Sequence, residues 1–196
     1  MKKTLFMLVA FLCTMFAANA AAPKVEGDLK CLKGQEAVAT KFTYNNMTVG
    51  KMTEQAYVDK KVSEYNEKKA GRGDEWFAMW ESDKEKVYPV TFSELFEKHS
   101  KIKTNNLEAQ KYTLEVNTDF FEPGFNIGIV RQDAYVSVTV KVYETAAPDK
   151  VLAKVTILKA PGRTFSGNDY AISDRVGEAY AKAGKELAKV VAKAIK

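Results

Sequence analysis

Four segments of the chain alternate between apolar and polar residues with a period of two, which is the pattern of half-buried β-strands. They lie at residues 36–49, 112–117, 135–143 and 151–157. Short turn signals at Pro123-Gly124 and Ala147-Pro148-Asp149 separate the last three segments. These three strands are therefore predicted to pair antiparallel with their neighbours along the chain.

Two other segments repeat their apolar residues at helical spacing. Residues 54–69 follow Thr53, a side chain suited to cap a helix. Residues 172–196 give the strongest helix signal, with one broad apolar face that includes Leu187. The opposite side carries a stripe of lysines at Lys182, Lys185, Lys189, Lys193 and Lys196. This stripe is either the solvent face of a helix packed on a sheet, with Glu178 and Glu186 as partners, or a surface for a membrane or polyanion.

A helical insertion is predicted between these parts, at about residues 70–110. Asp74 is suited to cap a first short helix, and the Tyr88-Pro89 pair then breaks the pattern. Thr91 starts a capping box, which predicts a second short helix to about His99.

These elements predict one α+β domain over residues 36–196. Its expected architecture is a four-stranded, mainly antiparallel sheet with the 54–69 and 172–196 helices on one face and the helical insertion at one side. Residues 21–35 are small, polar and glycine-containing, and they are predicted to form a flexible leader into the domain.

The first 20 residues have the pattern of a secretory signal peptide. Lys2 and Lys3 precede an apolar run at residues 5–18, and Ala18-Asn19-Ala20 offers small residues for cleavage. The apolar run is too short to span a bilayer, and no later segment approaches the roughly 20 apolar residues required. We therefore expect a periplasmic or secreted protein without a transmembrane segment.

Charge and cysteine content narrow the partner classes. The formal net charge of +5 falls by two when Lys2 and Lys3 are removed, and a mildly basic exported chain is not expected to bind nucleic acid. Cys13 would leave with the signal peptide, and the residues before it do not resemble a lipoprotein attachment site. Cys31 then remains as the only cysteine. It is interpreted as a half-buried thiol, with an intermolecular disulfide or a redox role as the alternative.

Candidate catalytic groups are few. His99 is the only histidine and is expected to face solvent at a helix end. No metal-binding, cofactor-binding or nucleophile motif occurs, so neither a metal nor a cofactor is predicted. Residues 160–167 are interpreted as a strand-to-helix loop, although their glycines could hold an anion. Acidic pairs at Glu115/Asp119 and at Asp169/Asp174 leave a carboxylate-dependent envelope hydrolase as the second hypothesis for function.

Two features suggest binding. Trp76, Phe77 and Trp80 lie among acidic residues, and they are interpreted either as a half-exposed surface for a protein or glycan or as part of the core. Arg72-Gly73-Asp74 is the tripeptide that integrins recognise, which makes a surface adhesin the third hypothesis. The same Asp74 is also explained as a helix cap.

The order of elements has a counterpart among known proteins. The predicted elements follow the order strand, helix, three antiparallel strands and long C-terminal helix. The chain also contains the turn Thr118-Asp119-Phe120-Phe121-Glu122-Pro123-Gly124 and an Ala/Lys-rich run at residues 177–188. In these features it resembles uncharacterised Bacteroidetes-type exported envelope proteins. These are similar in layout to the curli-secretion lipoprotein and to the amino-terminal domain of the Tol-Pal translocation protein. The resemblance covers residues 36–196. Export, a complete core pattern and the lack of a catalytic set lead to the first hypothesis for function, a non-enzymatic envelope protein that binds a protein or glycan partner or aids envelope assembly, with its oligomeric state open.

Overall fold

The computed structural model describes residues 22–105, 110–127, 130–164, 168 and 170–196. The strands are β1 (Lys24–Gly27), β2 (Ala37–Thr43), β3 (Thr48–Val49), β4 (Met52–Thr53), β5 (Lys103–Asn105), β6 (Tyr112–Glu122), β7 (Phe125–Asn126), β8 (Arg131–Gln132), β9 (Ala134–Glu144) and β10 (Val151–Gly162). The α-helices are α1 (Glu54–Lys68), α2 (Arg72–Lys86), α3 (Tyr88–Ser100) and α4 (Ser173–Ala194), and Leu29–Leu32 forms one 3-10 turn. The predicted signal peptide, residues 1–20, lies outside the described residues.

The main sheet is larger than predicted and mixed in direction. Eight strands join it, in the order β1-β10-β9-β6-β2-β5, with β3 beside β6 and β4 beside β3. Strands β6, β9 and β10 pair antiparallel, as predicted. Strand β2 instead lies parallel to β5 and β6. The remaining two strands, β7 and β8, form a separate hairpin.

The predicted four-stranded, mainly antiparallel sheet with two helices is therefore wrong. The connection from β2 to β6 contains α1, α2 and α3. A crossover of that length lets the chain return parallel to the strand it left, which a short turn cannot do. The added strands β1, β3, β4 and β5 span only two to four residues each, too few for an alternating pattern to be recognised.

The segment predicted as a flexible leader belongs to the domain. Strand β1 pairs antiparallel with β10 at one edge of the sheet. Leu29 and Leu32, in the following 3-10 turn, are buried in the core. Gly27 has a φ of 83°, and a Cβ atom there would lie 2.2 Å from the carbonyl oxygen of Leu152. The glycine that suggested flexibility is thus needed for the close approach of β1 to β10.

The helix that starts at Glu54 begins as predicted, whereas the next two differ. The Thr53 hydroxyl accepts a hydrogen bond from the backbone N–H of Ala56 at 3.2 Å. Helix α2 follows Gly71 and holds Asp74 in its first turn rather than at its cap. The break predicted at Tyr88-Pro89 is confirmed, since α2 ends at Lys86. Helix α3 starts at Tyr88 rather than at Thr91, with Pro89 in its first turn, where a proline loses no helical hydrogen bond.

Helices α3 and α4 pack closely and run in the same direction. Gly177 faces Thr91, and Gly184 faces the backbone of Phe92 further along both helices. A Cβ atom at position 184 would lie 2.1 Å from the carbonyl oxygen of Phe92, so this contact requires glycine. Leu187 is fully buried, which confirms that the apolar face of α4 packs on the core.

A membrane-crossing helix is not among the four. None of the helices in the described part of the chain combines the length and the apolar character needed to span a bilayer.

Candidate partner-binding surface

The strands bury one side of the main sheet and leave the other side polar. On β6, Leu114 and Val116 are fully buried, while Glu115 and Asn117, which alternate with them, are half-buried and point the opposite way. The buried side joins the valines of β9 and β10 to the helices in one hydrophobic core. We call the opposite side the polar face. Its members are Lys24, Glu26, Lys41, Thr43, Glu115, Asn117, Asp119, Thr139, Lys141, Lys154 and Thr156.

A charged row crosses the polar face over five strands. The strand register places Glu26, Lys154, Lys141, Glu115 and Lys41 next to one another from β1 to β2. Lys41 Nζ lies 3.3 Å from Glu115 Oε2, and Lys141 Nζ lies 3.4 Å from Glu115 Oε1. The row thus carries both signs of charge, with one carboxylate held between two lysines.

The environment of Glu115 keeps its carboxylate ionised. Partial burial raises the pKa of Glu115, but the hydrogen bond and charge of Lys41, followed by those of Lys141, lower it overall. The Tyr143 hydroxyl also donates to Glu115 Oε2 at 3.4 Å. Glu115 therefore binds the neighbouring lysines as an ionised carboxylate and does not act as a proton donor.

The neighbouring row is held by hydrogen bonds among uncharged groups and one carboxylate. Asn117 Oδ1 accepts from the Thr43 hydroxyl and from the backbone N–H of Asn45, both at 2.9 Å. Asn117 Nδ2 donates to Asp119 Oδ1 at 2.8 Å, and the Thr139 hydroxyl donates to Asp119 Oδ2 at 2.6 Å. These bonds fix the rotamers of the row, so the face presents an ordered polar surface.

This arrangement gives no support to the hydrolase hypothesis. Acid–base catalysis needs one group that donates a proton and one that accepts it. Glu115 stays ionised, and both oxygens of Asp119 already accept hydrogen bonds. In the second pair, Asp169 lies outside the described residues. Within the residues that are described, no group of three or more metal-ligating side chains comes together.

The tryptophans of the predicted binding surface lie in the core. Trp76 and Trp80 are 2% and 3% exposed, whereas Phe77 is 42% exposed. The ring of Trp80 lies 5.0 Å from that of Phe121, and its Nε1–H donates to Glu54 Oε1 at 3.0 Å. The expectation of a half-exposed tryptophan pair is therefore wrong, because the shared face of Trp76 and Trp80 packs inward. A binding role for Phe77 stays a prediction.

The integrin-type tripeptide is not in an exposed loop. Arg72, Gly73 and Asp74 form the first turn of α2. The Gly73 N–H donates to Asn66 Oδ1 at 2.8 Å, and the Arg72 guanidinium lies 4.7 Å from the ring centre of Tyr170. The Arg72-Gly73-Asp74 sequence is therefore explained by the packing of α2 against α1 and against the segment before α4.

Cys31 and His99 lie where the sequence suggested. Cys31 is half-buried, and burial followed by the charge of Asp28 raises the pKa of its thiol. A raised pKa lowers the thiolate fraction, so this thiol is not activated as a nucleophile. His99 is exposed in the last turn of α3. Of the glycine-containing segment at 160–167, Gly162 ends β10 and residues 165–167 lie outside the described residues.

A shallow groove of about 620 Å³ lies between α3 and α4. Thr91, Leu95, Gly177, Arg163 and Glu178 are among the residues that line it. The Arg163 backbone N–H donates to Glu178 at 2.7 Å, and the Arg163 side chain pairs with Asp133 at 3.3 Å. Because these polar groups satisfy one another, the groove offers less to a ligand than the polar face does.

The polar face could not be predicted from the sequence as one surface. Alternation along each strand identified the residues that point away from the core. Their assembly into rows depends on the register between β2, β6, β9 and β10, and the parallel pairing of β2 was not predicted.

The similar solved structures described here have low sequence identity to this chain. No protein-family model matches the chain, and no curated protein matches it. A PelC dodecamer from Paraburkholderia phytofirmans is 13% identical with a TM-score of 0.41, covering 84% of this chain and 96% of that one. A variant of the same dodecamer is 11% identical with a TM-score of 0.42, and the match covers 85% of this chain and 98% of that one. A DUF330 protein from Xanthomonas campestris is 12% identical with a TM-score of 0.35, and the match covers 87% of this chain and 93% of that one. Likeness at this level transfers neither function nor assembly, and the resemblance to the curli-secretion and Tol-Pal group stays a prediction.

Proposed function

We propose that this chain is an exported, non-enzymatic envelope protein that binds a protein partner through its polar face. The main support is the ordered set of positive and negative side chains on that face, with Glu115 between Lys41 and Lys141. Charges of both signs in fixed positions select a partner with the complementary pattern.

The choice of a protein over a glycan follows from the composition of the polar face. Its most exposed members are the charged residues Lys24, Glu26 and Lys41, and the aromatic Phe120 and Tyr135 on the same side of the sheet are half-buried. Tyr143 borders the face but is only 5% exposed, so it offers little ring surface on which a sugar could stack. The tryptophans that favoured a glycan in the sequence are buried.

The size of the sheet suits a protein interface. Six strands lie side by side, and the longest have 11 and 12 residues. With strands about 4.8 Å apart and about 3.3 Å per residue, the 45 residues of β1, β10, β9, β6 and β2 cover roughly 700 Å². This is comparable to the roughly 800 Å² that each partner contributes to a standard interface.

Export rests on the first 20 residues and is tested separately. Mass spectrometry of protein recovered from the envelope should find a chain that begins at or near Ala21 and carries no lipid. An intact Met1 or a lipid on Cys13 would contradict export by a cleaved signal peptide.

Site-specific crosslinking tests the polar face. A photo-crosslinking amino acid at Thr156, on the polar face, is compared with the same amino acid at Lys60, on the exposed side of α1. We expect one discrete adduct in cells from position 156 and none from position 60. The adduct should weaken when Lys154→Glu reverses a charge beside it.

Either of two results would contradict the proposed surface. One is the same set of adducts from both positions, which would indicate random collision. The other is no adduct from position 156 in a variant that melts at the temperature of the unmodified protein.

A further inference from the structure

The last turn of α3 and the middle of α4 bring basic side chains together. The two helices touch at Gly184 and Phe92, and basic residues follow that contact on both of them, at 98–101 after α3's Phe92 and at 185–189 after α4's Gly184. We call this region the basic surface. It consists of Lys98, His99, Lys101, Lys185 and Lys189.

Most of this positive charge is not neutralised. In the described part of the chain, no carboxylate lies within salt-bridge distance of Lys98, Lys101 or Lys185, and Lys189 pairs with Glu186 at 2.6 Å. The nearby carboxylate of Glu97 is bound to Lys103 at 2.9 Å and to the Thr104 hydroxyl at 2.7 Å.

The positive charge of the surrounding lysines also affects His99. Slight desolvation, then Lys185, Lys98, Lys189 and Lys101, lower the pKa of the exposed imidazole. Lysines from both helices therefore act on one point of the surface, which the stripe on α4 alone would not produce.

We propose that the basic surface binds a linear acidic polysaccharide, a polymer with repeated carboxylate groups. Along α4, Lys185, Lys189 and Lys193 are four residues apart, which places a cation about every 6 Å. A polymer that lies along the helix meets these cations in sequence, while Lys98 and Lys101 contact it from the side. The proposal does not depend on the polar face, which lies on the other side of the sheet from the helices.

A lipid bilayer fits this surface less well. Peripheral binding to a membrane combines basic residues with apolar side chains that enter the acyl region. The exposed large apolar residues are Val25, Met52, Phe77, Met79, Val90, Ile127, Val130, Val151, Leu152 and Leu158. None belongs to the last turn of α3 or to α4, and the apolar face of α4 is already buried in the core.

Binding to polygalacturonate, a linear polymer of carboxylate sugars, tests the proposal. Lys98→Gln/Lys185→Gln removes two charges from the basic surface, and Lys51→Gln/Lys150→Gln removes two exposed charges elsewhere. At about 50 mM salt we expect the first pair to weaken binding by about tenfold and the control pair by less than about twofold. Both variants should retain the wild-type melting temperature.

A second arm uses His99. Protonation adds a positive charge next to Lys98, Lys101, Lys185 and Lys189, so binding should tighten as the pH falls from about 8 to 5. His99→Gln should reduce that pH dependence.

Three results would overturn the proposal. They are no binding of polygalacturonate by the wild-type protein, equal losses in the two double variants, and binding to phosphatidylglycerol vesicles that polygalacturonate does not compete away. The last result would assign the surface to anionic lipid. Failure of the crosslinking experiment at Thr156 would leave this result unaffected, since the two surfaces share no residue.

Discussion

Strand β6 presents different surfaces to the two sides of the sheet. Val116 and Phe121 are fully buried under the helices, while Glu115 and Asn117 remain half-exposed on the polar face. The buried side gains free energy from apolar area removed from water, whereas ion pairs near the surface contribute little. Substitutions on the two sides should therefore differ in kind, with stability depending on one side and recognition on the other.

The largest expected effect is on the buried side. Phe121 is fully buried, and its ring lies 5.0 Å from Trp80 and 6.0 Å from Tyr88. Phe121→Ala should lower the free energy of unfolding by about 3–5 kcal/mol, measured by urea denaturation. Phe77→Ala, at an exposed phenylalanine, is the matched control and should cost less than about 1 kcal/mol. Similar losses at both positions would mean that Phe121 is not a core residue.

The next effect concerns the closeness of α3 and α4 above the buried side. Gly184→Ala places a methyl group against the Phe92 carbonyl and should cost about 1–3 kcal/mol. Gly177→Ala meets its nearest side-chain atoms at 3.5 Å, an ordinary contact. It should be neutral or stabilise by up to about 1 kcal/mol, because alanine favours helix. Thermal melts compare the two variants, and equal behaviour would contradict the packing of α3 on α4.

A smaller effect is expected on the polar face. Thr139→Val removes the hydroxyl that donates to Asp119 and should cost about 0.5–1.5 kcal/mol. The control is Thr156→Val, since no side-chain hydrogen bond of Thr156 occurs among the described residues. Its effect on unfolding should be close to zero. A loss at Thr139 as large as that at Phe121 would remove the distinction between the two sides.

The smallest effect is a pH dependence. The pKa of Glu115 is lowered in the folded state, so its ion pairs stabilise the protein above the unfolded value near 4.5. That stabilisation is lost as the pH falls through the folded pKa. Glu115→Gln should therefore reduce the loss of stability between about pH 5 and pH 3 by less than about 1 kcal/mol. Identical acid unfolding curves would contradict an ion-paired Glu115.

The sequence predicted the elements with a clear period and missed those defined by their neighbours. Helix α4 and the antiparallel strands β6, β9 and β10 were predicted because their patterns repeat over many residues. The start of α3 was missed because Pro89 signals a break and an N-terminal turn equally well. The parallel pairing of β2 with β6 depends on the path of the three helices that connect them, and a local sequence pattern does not contain this information.

The candidate surfaces were harder to predict for a related reason. The acidic neighbours of Trp76 and Trp80 suggested exposure, yet Asp83 is itself buried on the same side of α2. Burial raises the pKa of Asp83, and its carboxylate accepts a short hydrogen bond from the Ser173 hydroxyl at 2.5 Å. A charged residue therefore did not mark the solvent side, and only the tertiary partner from α4 accounts for its position.

The parallel pairing of β2 with β6 also fixes the order in which the chain can fold. Its partners Lys41 and Glu115 are separated by 74 positions, whereas Glu115 and Lys141 on β6 and β9 are separated by 26. Local contacts form faster than distant ones, so the β6, β9 and β10 meander is expected to form before β2 joins it. During synthesis or export, β2 emerges before any of the three meander strands. Until β6 has appeared, the edge of β2 that pairs with it is open to aggregation or to a chaperone.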